Sequence, residues 1–448
     1  MARRDRKRSC GAQCCGGCLG VFVVALVVFS IWYSSTGYNQ PHIPPPPLLP
    51  NPNAFNDYVT LGQMLKANGG TGAVFGGVRP GAPSLAAEKA LVARNQAVLS
   101  RLRLAMANPG RVPSSRSYYD VFPYLADMRE MARLLAAEED VLAAHGDYAG
   151  SFSAGIDGIR VAQDIGRGGT LIHGLVSLAM QAIIRQTMIR QVDRLTVSQC
   201  AGLAARLRAT LLARPAAIET LENERDLTLS SLSRITDSNA YEVFRIASSR
   251  EGGATSGERQ FGAMAWHFMR DRTLKDIEAY HAALQREAAR PASKRAEVPE
   301  PKSPIAAMLM PVFAQWPRGF DDNDTRNRLL HCMLRIREYQ LTRHKLPSRL
   351  DALGIEPTLL VDPYTGATIT YLPKGDDYLL YCLGPDGRDD GGVPANESSP
   401  SPFMGDIGVR PFRATNPSAG SLGSNNYRRV PHMLPPKLPP GSPPLTEW

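Results

Sequence analysis

Four aspartates near the carboxyl end of the chain carry the clearest metal-binding chemistry. Asp386, Asp389 and Asp390 lie within five residues, and Asp406 follows them. The glycines around them are Gly384, Gly387, Gly391 and Gly392. Ca²⁺ prefers six to eight oxygen ligands from carboxylates and from carbonyls of a bent loop. The EF-hand spacing fails, because Arg388 stands where a second acidic ligand belongs. Two alternatives stay open: a Ca²⁺ loop, or a solvated acidic turn without an ion.

Motifs of catalysis are missing from the sequence. The eight histidines contain no His-x-x-x-His pair for zinc. The Gly-x-Ser-x-Gly elbow, the phosphate loop and the dinucleotide fingerprint are also absent. His344 and Asp351 flank a turn expected to be exposed, which makes them a weak acid–base candidate. The sequence favours a non-enzymatic protein. A membrane-tethered hydrolase remains an alternative, because catalytic triads are assembled in space rather than along the chain.

Two other polar features have ordinary structural interpretations. His173 lies in the apolar run 171–182, which predicts a core or helix-capping histidine rather than a base. Glu222, Glu224 and Asp226 are expected to form a solvated helix face. Neither feature predicts a reaction.

The charge distribution indicates a membrane rather than a nucleic acid. The net charge is +9, and residues 1–8 hold five basic residues against one acidic residue. No later block combines clustered Lys and Arg with aromatic residues, as nucleic-acid binding would require. We therefore expect no nucleic-acid partner.

An uncharged, apolar stretch follows this basic cluster. Residues 9–56 hold no Asp, Glu, Lys or Arg, and residues 14–33 are long enough to cross the ~30 Å hydrocarbon layer. Trp32 and Tyr33 stand at its outer end, where interfacial aromatic rings are favoured. The basic flank predicts an uncleaved signal anchor in the inner (cytoplasmic) membrane, with residues 1–13 in the cytoplasm and the bulk of the chain outside it. A cleaved signal peptide is the alternative.

The seven cysteines fall into two groups. Four crowd the start of the membrane segment and lack a second ligand pair, which favours small apolar fillers or lipidation sites over a metal cluster: Cys10, Cys14, Cys15 and Cys18. The other three are scattered: Cys200, Cys332 and Cys382. They allow at most one bridge, between Cys332 and Cys382, in an oxidising space.

The positions of proline, glycine and apolar residues divide the rest of the chain. The 39 Gly and 36 Pro residues exceed ordinary usage and indicate unstructured stretches beside folded ones. The predicted segments are a Pro/Gly-rich stalk (34–83), an α-helical bundle or stack of helical hairpins (84–290), a linker (291–326), a small α+β unit (327–412) and a disordered Pro-rich tail (413–448). The predicted fold class is therefore mainly α.

The α+β unit combines one long helix with a small hairpin. Apolar residues between positions 329 and 341 give the helix a broad apolar face. Asp362-Pro363 then opens a turn, and residues 368–372 and 378–383 alternate as two strands. The order of Leu346-Pro347, Asp362-Pro363, the Tyr381-Cys-Leu-Gly-Pro-Asp386-Gly run and Asp406-Ile407-Gly408 resembles the C-terminal domain of the type II secretion major pseudopilin.

This resemblance covers about 80 residues, under a fifth of the chain. It implies a structural Ca²⁺ ion bound by the carbonyl of Leu383 and the carboxylates of Asp386 and Asp406. Gly405 stands where family members often have a second acidic residue. The membrane segment lacks the acidic residue of a pseudopilin and is separate from the later helix, so we do not expect a filament.

The expected function is that of a membrane-anchored envelope protein, a structural or interaction component of a secretion-type or envelope assembly. Its expected partners are the membrane and other envelope proteins. A helical module that binds a peptide or protein from a membrane stalk is the second alternative. An apolar or aromatic groove would favour that module, and a groove of histidines and carboxylates would favour the hydrolase.

Overall fold

The computed structural model describes residues 41–75, 83–236, 239–241, 256–310, 316–393 and 405–408. Over these residues the chain is mainly helical, as predicted, with one small antiparallel sheet. The helices are α1 (Ala54–Ala67), α2 (Gly72–Phe75), α3 (Leu85–Arg94), α4 (Gln96–Ala105), α5 (Tyr124–Ala144), α6 (Tyr148–Gly166), α7 (Leu171–Gln191), α8 (Val197–Leu212), α9 (Ala217–Ser233), α10 (Ser256–Ala288), α11 (Pro304–Leu309) and α12 (Trp316–Arg343). The strands are β1 (Thr370–Lys374), β2 (Asp377–Cys382) and β3 (Ile407–Gly408).

The predicted membrane helix at residues 14–33 and most of the predicted tail lie outside the described residues. Among the helices that are described, none combines the length and apolar character that a membrane span needs.

Helices α5, α6 and α7 pack against one another within the larger hydrophobic cluster. Two glycines of α6 allow α7 to approach closely. A Cβ atom at Gly155 would lie 2.4 Å from the side chain of Met188, and one at Gly158 would lie 2.5 Å from Ile184. Larger residues at these two positions would push the helices apart, because protein cores are close-packed.

Helix α1 corrects the predicted stalk at residues 34–83. It is buried against α4 and α5 through Phe55, Tyr58, Leu61 and Leu65. The side chain of Asn53 caps its first turn by accepting a hydrogen bond from the Phe55 N–H at 3.2 Å. The sequence did not predict this short helix, because prolines before it and glycines after it are typical of unstructured segments.

The proline-rich residues just before α1 also lie against the protein. Arg225 donates a hydrogen bond to the carbonyl of His42 at 3.2 Å, and Arg116 donates one to the carbonyl of Pro44 at 3.0 Å. An extended proline-rich chain makes no internal backbone hydrogen bonds, so its carbonyls are open to such donors. The described part of this segment, from residue 41, therefore does not project from the protein as a free spacer.

Helix α12 begins at Trp316, inside the predicted linker 291–326, and packs against α7, α8 and the sheet. Its contact with α7 includes a buried polar network. Arg185 donates a hydrogen bond to the Asn327 Oδ1 atom at 2.7 Å, and the Asn327 amide donates one to Gln181 at 2.9 Å. One hydrophobic cluster contains residues of both predicted units, so the linker does not separate two cores.

A second hydrophobic cluster joins α9, α10 and α11 to the start of α12. Trp266 is fully buried in it, and its indole N–H donates a hydrogen bond to the carbonyl of Ile235 at 3.1 Å. Trp316 lies at the edge of the same cluster and donates a hydrogen bond to the carbonyl of Ala217 at 3.0 Å. Helix α12 therefore contributes its first turns to this cluster and its later residues, from Leu329, to the larger one.

The sheet has the strand order β1-β2-β3, and both pairs are antiparallel. The hairpin pairs Lys374 with Asp377, which leaves Gly375 and Asp376 as a two-residue loop. Gly375 has a φ of 57° at the first loop position, where such turns favour glycine. Strand β3 pairs Ile407 with Cys382. Cys332 and Cys382 are both buried free thiols in the structure.

Candidate functional site

The acidic loop, residues 383–393, is organised around the carboxylate of Asp406. The Oδ2 atom of Asp406 accepts hydrogen bonds from the N–H groups of Asp390 at 3.0 Å and Gly392 at 2.7 Å. The Oδ1 atom is buried and has no hydrogen-bond partner within the described residues. Burial raises the pKa of Asp406, and the nearby Asp389 and Asp390 raise it further. The site therefore has one buried oxygen that a cation could use.

Two of the ligands implied by the pseudopilin resemblance, Asp386 and Asp406, accept backbone hydrogen bonds within the loop. The Asp386 Oδ1 atom accepts a hydrogen bond from the Arg388 N–H at 3.2 Å, within its own exposed turn. The Leu383 N–H donates a hydrogen bond to the Asp362 carboxylate at 2.9 Å. Asp389 accepts a hydrogen bond from the Tyr381 hydroxyl at 2.8 Å.

The acidic loop meets some of the requirements of a Ca²⁺ site. The orphaned oxygen of Asp406 and the acidic residues near it are suitable donors for Ca²⁺. However, in the part of the chain that the structure describes, no three acidic, histidine or cysteine side chains are grouped as a metal site. To bind Ca²⁺, the loop would have to add backbone carbonyls as ligands. The Asp386 carboxylate would have to give up its hydrogen bond with the Arg388 N–H.

Close backbone contact holds the two halves of this loop together. A Cβ atom at Gly384 would lie 1.9 Å from the carbonyl oxygen of Gly405, so only glycine fits there. The Asp406 N–H also donates a hydrogen bond to the carbonyl of Val393 at 3.0 Å. The loop is thus pre-shaped by its glycines, whether or not it binds an ion.

His173 caps α7, which confirms its interpretation as a core or capping residue. Its Nδ1 atom accepts a hydrogen bond from the Thr170 N–H at 3.2 Å. With Nδ1 as acceptor, the neutral ring carries its proton on Nε2, which lies 2.7 Å from the Tyr124 hydroxyl. Burial lowers the pKa of His173 to about 4. Both ring nitrogens are therefore engaged, and the imidazole has no atom left for a substrate.

The predicted solvated face at residues 222–226 is wrong for two of its three members. Glu224 is buried, and its carboxylate accepts a hydrogen bond from the Leu171 N–H at 2.8 Å. Burial raises the pKa of Glu224 to about 7. Asp226 is also buried and forms an ion pair with Arg116 at 2.8 Å. Sequence could not show that α9 packs beside α7.

The weak acid–base pair His344 and Asp351 also has a structural explanation. His344 follows the last residue of α12 with a φ of 53°, the left-handed conformation common at helix ends. Asp351 forms an exposed ion pair with Arg349 at 2.8 Å. No feature of this turn indicates catalysis.

A groove of about 430 Å³ lies between the end of α10, residues 292–301, α11 and the start of α12. We call it the α10–α12 groove. Its apolar lining residues are Tyr280, Leu284, Ala288, Ala292, Ala296, Val298, Pro301, Ala307, Met310, Pro317, Tyr364 and Pro385. Its acidic lining residues are Glu287, Glu297, Glu300 and Asp321, and its basic ones are Arg295 and Arg318. No histidine is among the lining residues.

Arg295 builds one wall of this groove. Its guanidinium donates hydrogen bonds to the carbonyl of Glu287 at 3.1 Å, in the last turn of α10, and to that of Arg290 at 3.0 Å, two residues beyond the helix. It also forms an ion pair with buried Asp321 of α12. The last carbonyls of a helix have no partner within the helix, so they accept such donors. Residues 292–301 therefore form a fixed wall, although their composition predicted a linker.

Comparison with protein-family models, curated proteins and solved structures finds no match for this chain.

Proposed function

We propose that this chain is a non-enzymatic, membrane-anchored interaction protein that binds an extended polypeptide in the α10–α12 groove. The observation that carries the proposal is the groove itself, with its apolar floor, its two tyrosines and its acidic rim. Grooves that combine aromatic and apolar walls with a few charged groups are suited to extended peptides. The groove favours the binding-module alternative over the hydrolase, because its lining has carboxylates but no histidine.

The membrane anchor and the envelope location come from the sequence. The basic residues 1–8 and the apolar residues 14–33 support a single-pass anchor in the inner membrane with the folded part outside the cytoplasm. In this arrangement the protein holds its ligand, another envelope or secretion-type component, near the membrane surface.

The resemblance to the pseudopilin domain supports a structural role for the C-terminal unit. Helix α12 followed by an antiparallel sheet is the arrangement that the resemblance implies. In this proposal a Ca²⁺ ion at Leu383, Asp386 and Asp406 stiffens the acidic loop. Pro385 belongs to the same loop and lines the groove, so a stiffer loop would give the groove a more rigid wall.

A site-specific photo-crosslink tests the groove as a binding site. Benzoyl-phenylalanine replaces Ala296, which is exposed and lines the groove, in the full-length protein in cells. The matched control replaces Leu104, which is 73% exposed and outside the groove. We expect a discrete peptide adduct, identified by mass spectrometry, from position 296 and not from position 104. The same adducts from both positions, or none from position 296, would overturn the proposal.

A further inference from the structure

We propose that the α10–α12 groove is occupied by the chain's own basic, proline-rich C-terminal segment, residues 428–445. This inference rests on the proposed function, because it names the polypeptide that the groove binds. The segment lies outside the described residues, and its sequence is Arg-Arg-Val-Pro-His-Met-Leu-Pro-Pro-Lys-Leu-Pro-Pro-Gly-Ser-Pro-Pro-Leu.

The apolar lining of the groove suits a proline-rich chain. Tyr280 and Tyr364 lie in its wall with 6% and 4% of their surfaces exposed, together with the more accessible Val298 and Pro385. Proline-rich segments with Pro-x-x-Pro spacing bind to aromatic-lined grooves, because their extended conformation is already ordered before binding. The segment contains this spacing at Pro436-Lys-Leu-Pro439 and again at Pro440-Gly-Ser-Pro443.

The charges of the groove and the segment are complementary. The lining holds four acidic residues, Glu287, Glu297, Glu300 and Asp321, against two basic ones, Arg295 and Arg318. Arg295 pairs with Asp321, and Glu287 pairs with Arg290 outside the lining, which leaves Glu297 and Glu300 for a basic ligand. Residues 428–445 contain Arg428, Arg429 and Lys437 and no acidic residue. Opposite charges at the rim of an interface favour encounter and set the orientation of the bound chain.

The connection is long enough to reach. The described chain ends in β3, which pairs with Cys382, and Pro385 of the groove follows Cys382 by three residues. The 19 residues from 409 to 427 are rich in Gly, Ser and Asn between 415 and 426. Gly- and Ser-rich linkers of 19 residues span roughly 24 Å. Such a tether gives an effective concentration on the order of 1 mM, so even a weak contact would be formed within one molecule.

Another envelope component that uses the same groove would compete with residues 428–445 for it.

A labelled peptide of residues 428–445 tests the occupant by fluorescence anisotropy. It is titrated with the full-length detergent-solubilised protein and with the same protein ending at residue 427. We expect binding at least about tenfold tighter to the shortened protein, because its groove is open. Equal binding to both proteins, or binding to neither, would overturn the inference.

Two changes locate the contact. Glu297→Lys with Glu300→Lys, both exposed residues, should weaken peptide binding to the shortened protein by about tenfold or more. A peptide with Pro436→Ala and Pro439→Ala should bind about tenfold more weakly to the unchanged protein, which needs no folded variant. Unchanged binding in either case would contradict docking of this segment in this groove.

The crosslink at position 296 separates this inference from the proposed function. An adduct within one chain to residues 428–445 supports the inference. An adduct to the tail of a second copy, or to another protein with no tail adduct, overturns it and leaves the groove as a binding site. No adduct of any kind would overturn the proposed function as well.

Discussion

Glu139 is a carboxyl group in the middle of α5 whose side chain is fully buried. Neither of its oxygens has a hydrogen-bond partner within the described residues. Burial holds the pKa of Glu139 well above its usual range, Asp140 and Glu138 raise it further, and Arg190 lowers it. The group is therefore protonated in the folded protein at a pH where it ionises in the unfolded chain.

This difference predicts that Glu139→Leu stabilises the protein at high pH. The folded state binds more protons than the unfolded state above the unfolded pKa of Glu, ~4.3, so Glu139 lowers the free energy of unfolding as the pH rises. We expect Glu139→Leu to raise the free energy of unfolding by about 1–3 kcal/mol at pH 8 and by much less at pH 4. Urea denaturation at the two pH values measures this.

Glu138 is the matched control for Glu139. It lies next to it on the same helix, but its carboxylate forms an ion pair with Arg103 at 2.7 Å. Glu138→Leu should give no stabilisation at pH 8. A loss of stability in Glu139→Leu at pH 8 would contradict the interpretation of Glu139 as an unpaired buried acid.

Asp386 tests the proposed Ca²⁺ loop. Its carboxylate lies in an exposed turn and accepts only a local hydrogen bond, so its loss has little structural cost without an ion. We expect Asp386→Ala to lower the Tm in Ca²⁺ and to leave it unchanged in chelator. Equal shifts in both buffers would contradict a Ca²⁺ ion at Asp386. Asp376→Ala, in the exposed hairpin loop, is the control and should shift neither.

At the scale of elements, most helices follow from local apolar spacing. Apolar residues recur at helical spacing between positions 125 and 142, where the structure has Tyr124–Ala144, and along 170–194, which contains Leu171–Gln191. The same spacing over residues 264–289 coincides with the last 25 of the 33 residues of α10. Apolar residues repeat with the helical period because one helix face is buried, so the signal is strong over several turns.

The end of α10 is an element whose stability depends on one distant contact. Arg295→Ala removes the donor to the last carbonyls of α10 and leaves buried Asp321 without its ion-pair partner. Burial raises the pKa of Asp321 to about 6, although Arg295 lowers it. We expect Arg295→Ala to lower the free energy of unfolding by about 3 kcal/mol at pH 8. The loss should be smaller at pH 5, where the carboxyl is neutral. Denaturant titration at both pH values measures this.

Arg290→Ala tests whether burial of the Arg295–Asp321 ion pair causes the expected loss of stability. Arg290 forms an exposed pair with Glu287 on the same helix end, at 3.0 Å. Arg290→Ala should cost less than about 1 kcal/mol at either pH, because exposed pairs contribute little. Equal losses for Arg290→Ala and Arg295→Ala would contradict the buried-pair explanation.

At the scale of the whole molecule, the proposed anchor sets where the groove operates. We expect the full-length protein to stay in the membrane fraction after alkaline carbonate washing and to retain residues 1–33 by intact mass. Val24→Arg with Val27→Arg should release it, because each charge at the centre of a span costs about 2.5–3.5 kcal/mol. A mature chain that starts beyond residue 33 would instead indicate a cleaved signal peptide.

The sequence by itself determined most of the helices, the glycine-rich turn before Asp406 and the apolar N-terminal stretch. Each of these features depends on residues that are close together in the chain. It also predicted His173 as a cap, since a polar residue at the start of an apolar run often serves there. Helix α1 was missed, because prolines and glycines crowd a helix of four turns on both sides.

Only the tertiary structure decided which polar residues are buried and where the groove lies. Asp226 and Glu224 became buried because partners more than fifty residues away in sequence cover them. The segment 292–301 became a groove wall because Arg295 links the end of α10 to Asp321 on α12. Such contacts depend on how helices pack, and the composition of a short segment does not contain that information.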